Sequence, residues 1–190
     1  MGLHTALKEW ATVLEAISRG EQLVLIRKGG LIEPGSGFEL VSPSFVFYPT
    51  FEHQAVNYLR PAYRGYFDEA LRRRAADGQV RFELFGVAVV SRQSHDPSLV
   101  ERLSAFHVYN EEFLNQRLKW QPDQPLTIAV VRAFRLVAPH VVPITPRYAG
   151  CKSWVELDAP VPLEGAAPVL EEAVFRRRVQ ELSALLDTSR

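Results

Sequence analysis

Arg27 and Lys28 stand directly behind a short apolar run, residues 23–26, and are followed by Gly29 and Gly30. Two adjacent cations attract anions, and glycines allow backbone N–H groups to point toward a bound phosphate or carboxylate. The surrounding sequence contains neither a Walker motif nor the G-x-G-x-x-G pattern of nucleotide-binding loops. The pattern is therefore consistent with an anion-binding pocket and also with a plain turn that carries solvated cations.

Glu52 and His53 form a second polar cluster, within residues 48–54. Thr50 predicts a helix N-cap, which puts Glu52 in the first turn, where the helix dipole favours a carboxylate. A histidine beside a carboxylate is able to act in acid–base catalysis or to bind a metal ion. Adjacent helical residues point in different directions, however, so a capping acid beside a surface histidine explains the pair as well.

The third polar cluster consists of Cys151, Lys152, Ser153 and Trp154. A neighbouring lysine lowers the pKa of a thiol, but a nucleophilic cysteine also needs a histidine close in space. A lone cysteine is more often a small buried hydrophobe. We predict that the three clusters line one pocket, in which Lys152 and Ser153 contact the ligand and Trp154 forms a wall. Three independent surface turns are the alternative.

The composition is that of an ordinary globular protein: 190 residues, of which 47% are hydrophobic and 23% are charged. Basic and acidic residues are equal at 22 each, so an attraction to nucleic acid must come from a local patch. No apolar run approaches the roughly 18 residues that a membrane span needs, and the amphipathic start lacks a signal peptide. We therefore expect a cytoplasmic protein without a membrane partner. Its single cysteine excludes an internal disulfide.

Hydrophobic spacing predicts an α+β fold, with a mixed or antiparallel sheet flanked by helices. The spacing in residues 3–18 favours an amphipathic helix, with Glu9 at the edge of its apolar stripe. Residues 38–41 and 45–48 are typical of a β-hairpin, and Thr50 is expected to begin the next helix. The further predicted elements are helices over 66–77 and 111–119 and strands over 23–28, 80–90 and 126–136.

Arg132 lies on an apolar face of the strand predicted over 126–136, because side chains alternate across a strand. An unpaired charge on a buried face is costly, so Arg132 needs either an acid or a ligand. A structural salt bridge and a ligand contact are both consistent with its position.

Residues 158–168 contain three prolines and one glycine, which favours a linker. We therefore predict an α+β domain over residues 1–157, this linker, and a C-terminal helical appendage over residues 169–190. The helix has an apolar stripe that includes Phe175 and Leu182. This stripe either packs back on the domain or contacts a protein partner.

Five short motifs follow one another along the chain. They are Ala6-Leu-Lys-Glu-Trp10, Arg27-Lys-Gly-Gly30 at the end of the segment from Gly20, Tyr48-Pro-Thr-Phe-Glu-His-Gln54, Lys119-Trp120 with Pro125-Leu126, and Tyr148-Ala-Gly-Cys-Lys-Ser-Trp154. Together they resemble a family of bacterial and archaeal domains of unknown function, over residues 5–157. The resemblance implies no reaction, but it implies that these polar motifs form the defining site of the family.

Binding of a phosphate-bearing ligand is the favoured function, with nucleic acid or a nucleotide as the partner. The residues expected to bind the ligand are Arg27, Lys28, Gly29, Gly30, Arg132, Lys152, Ser153 and Trp154. An initial helix followed by the segment from Gly20 to Lys28 is also similar to small barrel-like domains that read RNA. Exposed aromatic rings are able to stack on bases, although core packing explains many of them equally well.

A divalent-metal phosphodiesterase is the alternative function. The predicted order of helix, three strands and helix over residues 3–59 is similar to the core of a large superfamily of metal-dependent nucleases. That resemblance implies a carboxylate site for Mg²⁺ or Mn²⁺. The candidate catalytic residues are Glu9, Glu52, His53 and Lys28, with Glu39 as a further carboxylate. The predicted third strand lacks the acid and the lysine of those nucleases, and no zinc-site spacing of cysteines and histidines is present.

Overall fold

A mixed sheet forms the centre of the computed structural model, which describes residues 2–28 and 38–187. Its strands are β1 (Gly2–Trp10), β2 (Val24–Arg27), β3 (Ser44–Thr50), β4 (Gln79–Ser94), β5 (Leu126–Pro143), β6 (Trp154–Pro162) and β7 (Ala167–Pro168). Their order is β2-β5-β4-β3-β1-β6, and β7 pairs with β5. β1 and β3 are parallel, whereas the other pairs are antiparallel. The predicted α+β class is confirmed.

Helices flank this sheet in the described part of the chain. They are α1 (Ala11–Ser18), α2 (Gly65–Arg72), α3 (Ser98–Arg102), α4 (Glu111–Lys119) and α5 (Glu172–Asp187), with short 3-10 turns at Val56–Tyr58, Pro61–Tyr63, Ser104–Phe106 and Pro146–Tyr148. The side chain of Asn110 caps α4, because its oxygen accepts the backbone N–H of Phe113 at 3.1 Å. Gly20 follows α1 with a φ of 71°, a left-handed conformation that glycine adopts without strain.

Residues 2–10 form β1, so the helix predicted over 3–18 is wrong in its first half. The apolar spacing fits a helical stripe, but it also fits a strand that is buried on both faces. Leu7 packs in the larger core, whereas Ala6 packs in the core on the opposite face. β1 lies between β3 and β6, and pairing with these distant segments overrides the local preference.

β3 extends through Thr50, so the helix predicted to begin at this residue is also wrong. The Thr50 hydroxyl donates a hydrogen bond to the carbonyl of Glu9 at 3.2 Å instead of capping a helix. The chain then continues as a loop over residues 51–55. Residues 38–41, predicted as the first hairpin strand, are not in a strand, and β3 pairs with β1 and β4.

β4 and β5 form the longest strand pair, and both are longer than the sequence predicts. Phe85 of β4 lies opposite Phe134 of β5, with their rings stacked at 4.7 Å between centroids. Gly86 is required by close packing, because a Cβ atom there would lie 2.9 Å from the Phe47 ring.

Residues 158–168 are largely part of the sheet, which corrects the expectation of an irregular linker. Residues 158–162 complete β6, and β7 pairs with β5. The following helix α5 packs on the larger core through Phe175, Leu182 and Leu186. The domain boundaries and a protein partner of α5 stay predictions. Among the described residues, no helix is long and apolar enough to cross a membrane.

Candidate ligand-binding cavity

A cavity of about 810 Å³ lies where β1, β2 and β3 end. Helix α4, the loop 51–55 and the loop 150–153 complete its walls. The residues of the predicted clusters that line it are Arg27, Lys28, Glu52, His53, Cys151, Lys152 and Ser153. Gly29 and Gly30 lie outside the described residues. The structure thus places the three polar clusters around one cavity, because the strands and loops that carry them end on the same side of the sheet.

Glu9 and Arg27 form an ion pair in the lining of this cavity. The Arg27 Nη2 atom lies 3.0 Å from Glu9 Oε2, and the two side chains are only 17% and 6% exposed. Glu9 also accepts the backbone N–H of Trp10 at 2.8 Å, and Arg27 donates to the carbonyl of Lys8. Glu9, expected at the edge of a helical stripe, is instead a buried residue of β1. Its carboxylate neutralises Arg27 instead of facing solvent.

Lys28 lies almost completely inside the protein, at 4% exposure. Its ammonium donates to the carbonyl of Leu118 at 2.9 Å, in the last turn of α4, where carbonyl groups lack helical partners. Burial lowers the pKa of Lys28, and the charge of Arg117 lowers it further, whereas Asp123 opposes the shift. Lys28 thus joins β2 to α4 and adds positive charge to the cavity.

Arg117 on α4 lines the cavity and was missed by the sequence analysis. Its guanidinium lies 5.1 Å from the centre of the Phe113 ring. Within residues 2–28 and 38–187, no carboxylate pairs with it and no hydrogen bond to its side chain is formed. Burial and the nearby Arg27 lower the pKa of Arg117, whereas Tyr109 and Glu9 oppose the shift. Its spacing of four residues from buried Phe113 is the sequence signal that places it on the inward side of the helix.

Glu52 and His53 stand on the loop after β3, where both are exposed. His53 has a φ of 61°, an uncommon conformation for a residue other than glycine. The next residue, Gln54, uses its oxygen to accept the N–H and the hydroxyl of Thr12 at 3.3 and 3.0 Å. The Gln54 amide nitrogen is buried and has no partner among the described residues. The loop therefore adds one carboxylate and polar donors to the lining.

Lys8 and Lys152 provide the cations on the side of the loop 150–153. Lys8 donates to the carbonyl of Gly150 at 2.9 Å, and its backbone N–H donates to the carbonyl of Ser153 at 2.8 Å. Burial lowers the pKa of Lys8, with a further contribution from Lys152. Lys152 donates to the carbonyl of Arg147. Cys151 is exposed, which corrects its interpretation as a buried hydrophobe.

Trp154 lies behind the cavity wall and does not line it. Its ring stacks on Phe38 with 5.8 Å between centroids and meets the edge of Phe45 at 5.4 Å. Its indole N–H donates to the carbonyl of Glu39 at 3.0 Å. Phe38 itself forms part of the lining. Trp154 therefore supports Phe38 in the cavity wall. In this position it does not reach the cavity, where a contact with a ligand was predicted.

Arg132 lies away from the cavity, which corrects its place among the ligand-binding candidates. It pairs with Glu172 of α5 at 2.5 Å. Its guanidinium also lies 5.3 Å from the ring centres of Phe134 and Phe175. Of the two explanations for Arg132, the structure has the salt bridge, which attaches α5 to β5.

Of the carboxylates from which a two-carboxylate metal site was expected, Glu9 and Glu52 line the cavity and Glu39 does not. Among the described residues, no group of three histidine, cysteine, aspartate or glutamate side chains is arranged to hold a metal ion. Glu9 is neutralised by Arg27, and Glu39 is not part of the cavity lining. Two-metal or carboxylate-based phosphodiester hydrolysis needs oxygen ligands gathered around the ion. The alternative function, a divalent-metal phosphodiesterase, stays a prediction.

The sequence matches the domain of unknown function DUF1802 over residues 6–181. The chain belongs to this family. The predicted membership of a family of unknown function is therefore confirmed, and the match includes most of α5. No curated protein matches the chain.

Solved structures of ASCH from Zymomonas mobilis are similar to this chain at low identity. A serine-to-alanine mutant of ZmASCH has 13% identity and a TM-score of 0.46, covering 95% of this chain and 98% of its own. A tyrosine-to-phenylalanine mutant has 12% identity and a TM-score of 0.45, with 93% and 96% covered. The ASCH protein itself has 12% identity and a TM-score of 0.44, with 93% of each chain covered.

Proposed function

We propose that this cavity binds a phosphate-bearing ligand, and that the ligand is nucleic acid or a nucleotide. The charge of the lining carries the proposal. The charged lining residues are the cations Lys8, Arg27, Lys28, Arg117 and Lys152 and the carboxylates Glu9 and Glu52. The whole chain has equal numbers of basic and acidic residues. The positive surplus is therefore local, and it favours an anion at this place on an otherwise neutral protein.

The two arginines favour phosphate among the possible anions. A guanidinium presents a planar fork of N–H donors that matches two oxygens of one phosphate group. Arg27 and Arg117 both line the cavity, and no hydrogen bond or ion pair of the Arg117 guanidinium is formed within the described chain. Donors that the fold leaves unsatisfied are available to ligand oxygens.

Aromatic rings in the lining favour a nucleotide over a simple phosphate. Trp10 and Trp120 are half-buried and border the cavity, together with Tyr58. Trp10 and Tyr58 are stacked on each other at 6.1 Å. Flat aromatic faces beside cations bind single-stranded nucleic acids, because every base has a face that stacks.

Fluorescence anisotropy with labelled single- and double-stranded oligonucleotides tests the proposal at two salt concentrations. We expect the affinity to fall steeply with salt, since phosphate contacts release counterions. Lys152→Gln should weaken binding and lower the salt slope by about one unit. Arg177→Gln is the matched control, because it removes an exposed cation from α5, outside the cavity lining. Absence of binding at low salt contradicts the proposal. It is also contradicted if Lys152→Gln and Arg117→Gln both bind the oligonucleotides as tightly as the wild type does.

A further inference from the structure

Three buried or half-buried cations gather at one end of the cavity. They are Arg27 and Lys28 at the end of β2 and Arg117 on α4, which we call the cation cluster. The charge of Arg117 acts on Lys28, and the charge of Arg27 acts on Arg117, so the three groups are close enough to repel one another. Burial strengthens this repulsion, since it removes the water that screens like charges.

The fold neutralises only part of this charge. Glu9 pairs with Arg27 at 3.0 Å. Lys28 donates to a backbone carbonyl, and its nearest acidic influence, Asp123, is an exposed side chain that solvent screens. Arg117 has no carboxylate partner in the described residues. Tyr109, which packs against this end, is held neutral because burial raises its pKa. Among the described residues, Glu9 is thus the one buried carboxylate that acts on the cluster, and it offsets one of the three positive charges.

We propose that the cation cluster is a subsite for a phosphate dianion, the terminal phosphate monoester of a nucleotide or of a nucleic-acid strand. Arg27 and Arg117 would hold its oxygens. A monoester carries close to two negative charges at neutral pH, which equals the surplus, whereas an internal phosphodiester carries one. Charge matching of this kind matters most where water is excluded. The inference rests on the proposed function and narrows it from phosphate in general to a strand end or a mononucleotide.

A stability measurement separates this role from a structural one. In the empty protein, Arg117 is a half-buried cation beside other cations, so Arg117→Gln should leave the melting temperature unchanged or raise it. A residue that mainly supports the fold gives the opposite result. Lys119→Gln on the same helix is the matched control, because Lys119 is exposed and does not line the cavity. Arg117→Lys keeps the charge without the planar fork and should retain part of the binding.

The binding test compares single strands of one random-sequence pool with a 5′-phosphate, a 3′-phosphate or no terminal phosphate. It also uses adenosine 5′-monophosphate, its methyl ester and inorganic phosphate as competitors. We expect a terminal phosphate to strengthen binding to the wild-type chain by about tenfold or more. The methyl ester, which has one charge less, should compete less well than the monophosphate. Arg117→Gln should lose most of these differences, whereas Lys119→Gln should keep them.

Each outcome decides between the two proposals. Equal, salt-dependent binding of phosphorylated and unphosphorylated strands overturns the dianion subsite and leaves the proposed function intact. Absence of binding by every probe overturns both. If inorganic phosphate competes as strongly as the nucleotide does, the subsite is supported and its ligand is free phosphate. A preference for terminal phosphate that persists in Arg117→Gln, with a lowered melting temperature, overturns the role of Arg117.

Discussion

Arg117 and Arg132 occupy similar surroundings and have different partners. Each is half-buried and lies over an aromatic ring, at 5.1 Å from Phe113 and at 5.3 Å from Phe134 and Phe175 respectively. Arg132 has a carboxylate of α5 at 2.5 Å, whereas Arg117 forms no ion pair in the described chain and feels the charges of both Arg27 and Glu9. A cation that the chain neutralises holds two elements together. A cation that it leaves unneutralised is available to an anion from outside.

The largest expected effect is on stability, in the region around α5. Leu182 of α5 has no exposed surface and packs in the larger core. Leu182→Ala should lower the free energy of unfolding by about 2–5 kcal/mol, because it removes apolar contacts and leaves a cavity. Urea denaturation measures the loss. Glu181→Ala, at an exposed neighbouring position, should change little, and the folded fraction of Leu182→Ala should still bind phosphate ligands as the wild type does.

Acid should lower the free energy of unfolding, because folding must exclude a proton from His107, which is bonded to α3. Burial, together with the charge of Arg60, lowers the pKa of His107 from 6.5 to about 4, although the bond to the Val100 carbonyl opposes the shift. The unfolded chain therefore binds the proton first. The contribution of His107 to the free energy of unfolding is fully present above about pH 6.5. It is lost as the pH falls toward 4, by roughly 3 kcal/mol at most. Urea unfolding across this range measures it, and an equal pH dependence in His107→Gln would contradict the assignment.

Ligand binding should stabilise the wild type and distinguish the two arginines. At a ligand concentration of a hundred times the Kd, the gain is about 2.7 kcal/mol. Thermal unfolding with adenosine 5′-monophosphate should show this gain in the wild type and in Arg132→Gln, measured against each protein alone. Arg117→Gln should show little gain at the same concentration. A similar gain in all three proteins would mean that the nucleotide binds elsewhere.

The smallest effect is the stability difference between the two substitutions without ligand. Arg132→Gln should lower the melting temperature by roughly 2–4 °C, since it removes the ion pair to Glu172 and the contacts with two rings. Arg117→Gln should not lower it. Differential scanning calorimetry of both variants measures the difference, and a larger loss in Arg117→Gln would reverse the comparison.

Several features of the site were predictable because they depend on local patterns. The apolar run before Arg27, the helix over 111–119 and the strands over 80–90 and 126–136 depend on neighbouring residues, and each element is found close to its predicted place. The convergence of the three polar clusters followed from their positions at the ends of elements. Arg117 was overlooked because a basic residue in the last turn of a helix is typical of a solvated position.

Other features depend on pairing between distant segments. Residues 2–10 are consistent with a helical stripe and with a buried strand, and only the neighbours β3 and β6 decide in favour of the strand. The sequence by itself determined the α+β class, the family and the polar motifs. The tertiary structure decided which charges are compensated: Glu9 meets Arg27, Glu172 meets Arg132, and Arg117 meets no carboxylate in the described chain. Compensation depends on distances across the fold, because the energy between charges falls with separation in space and not along the chain.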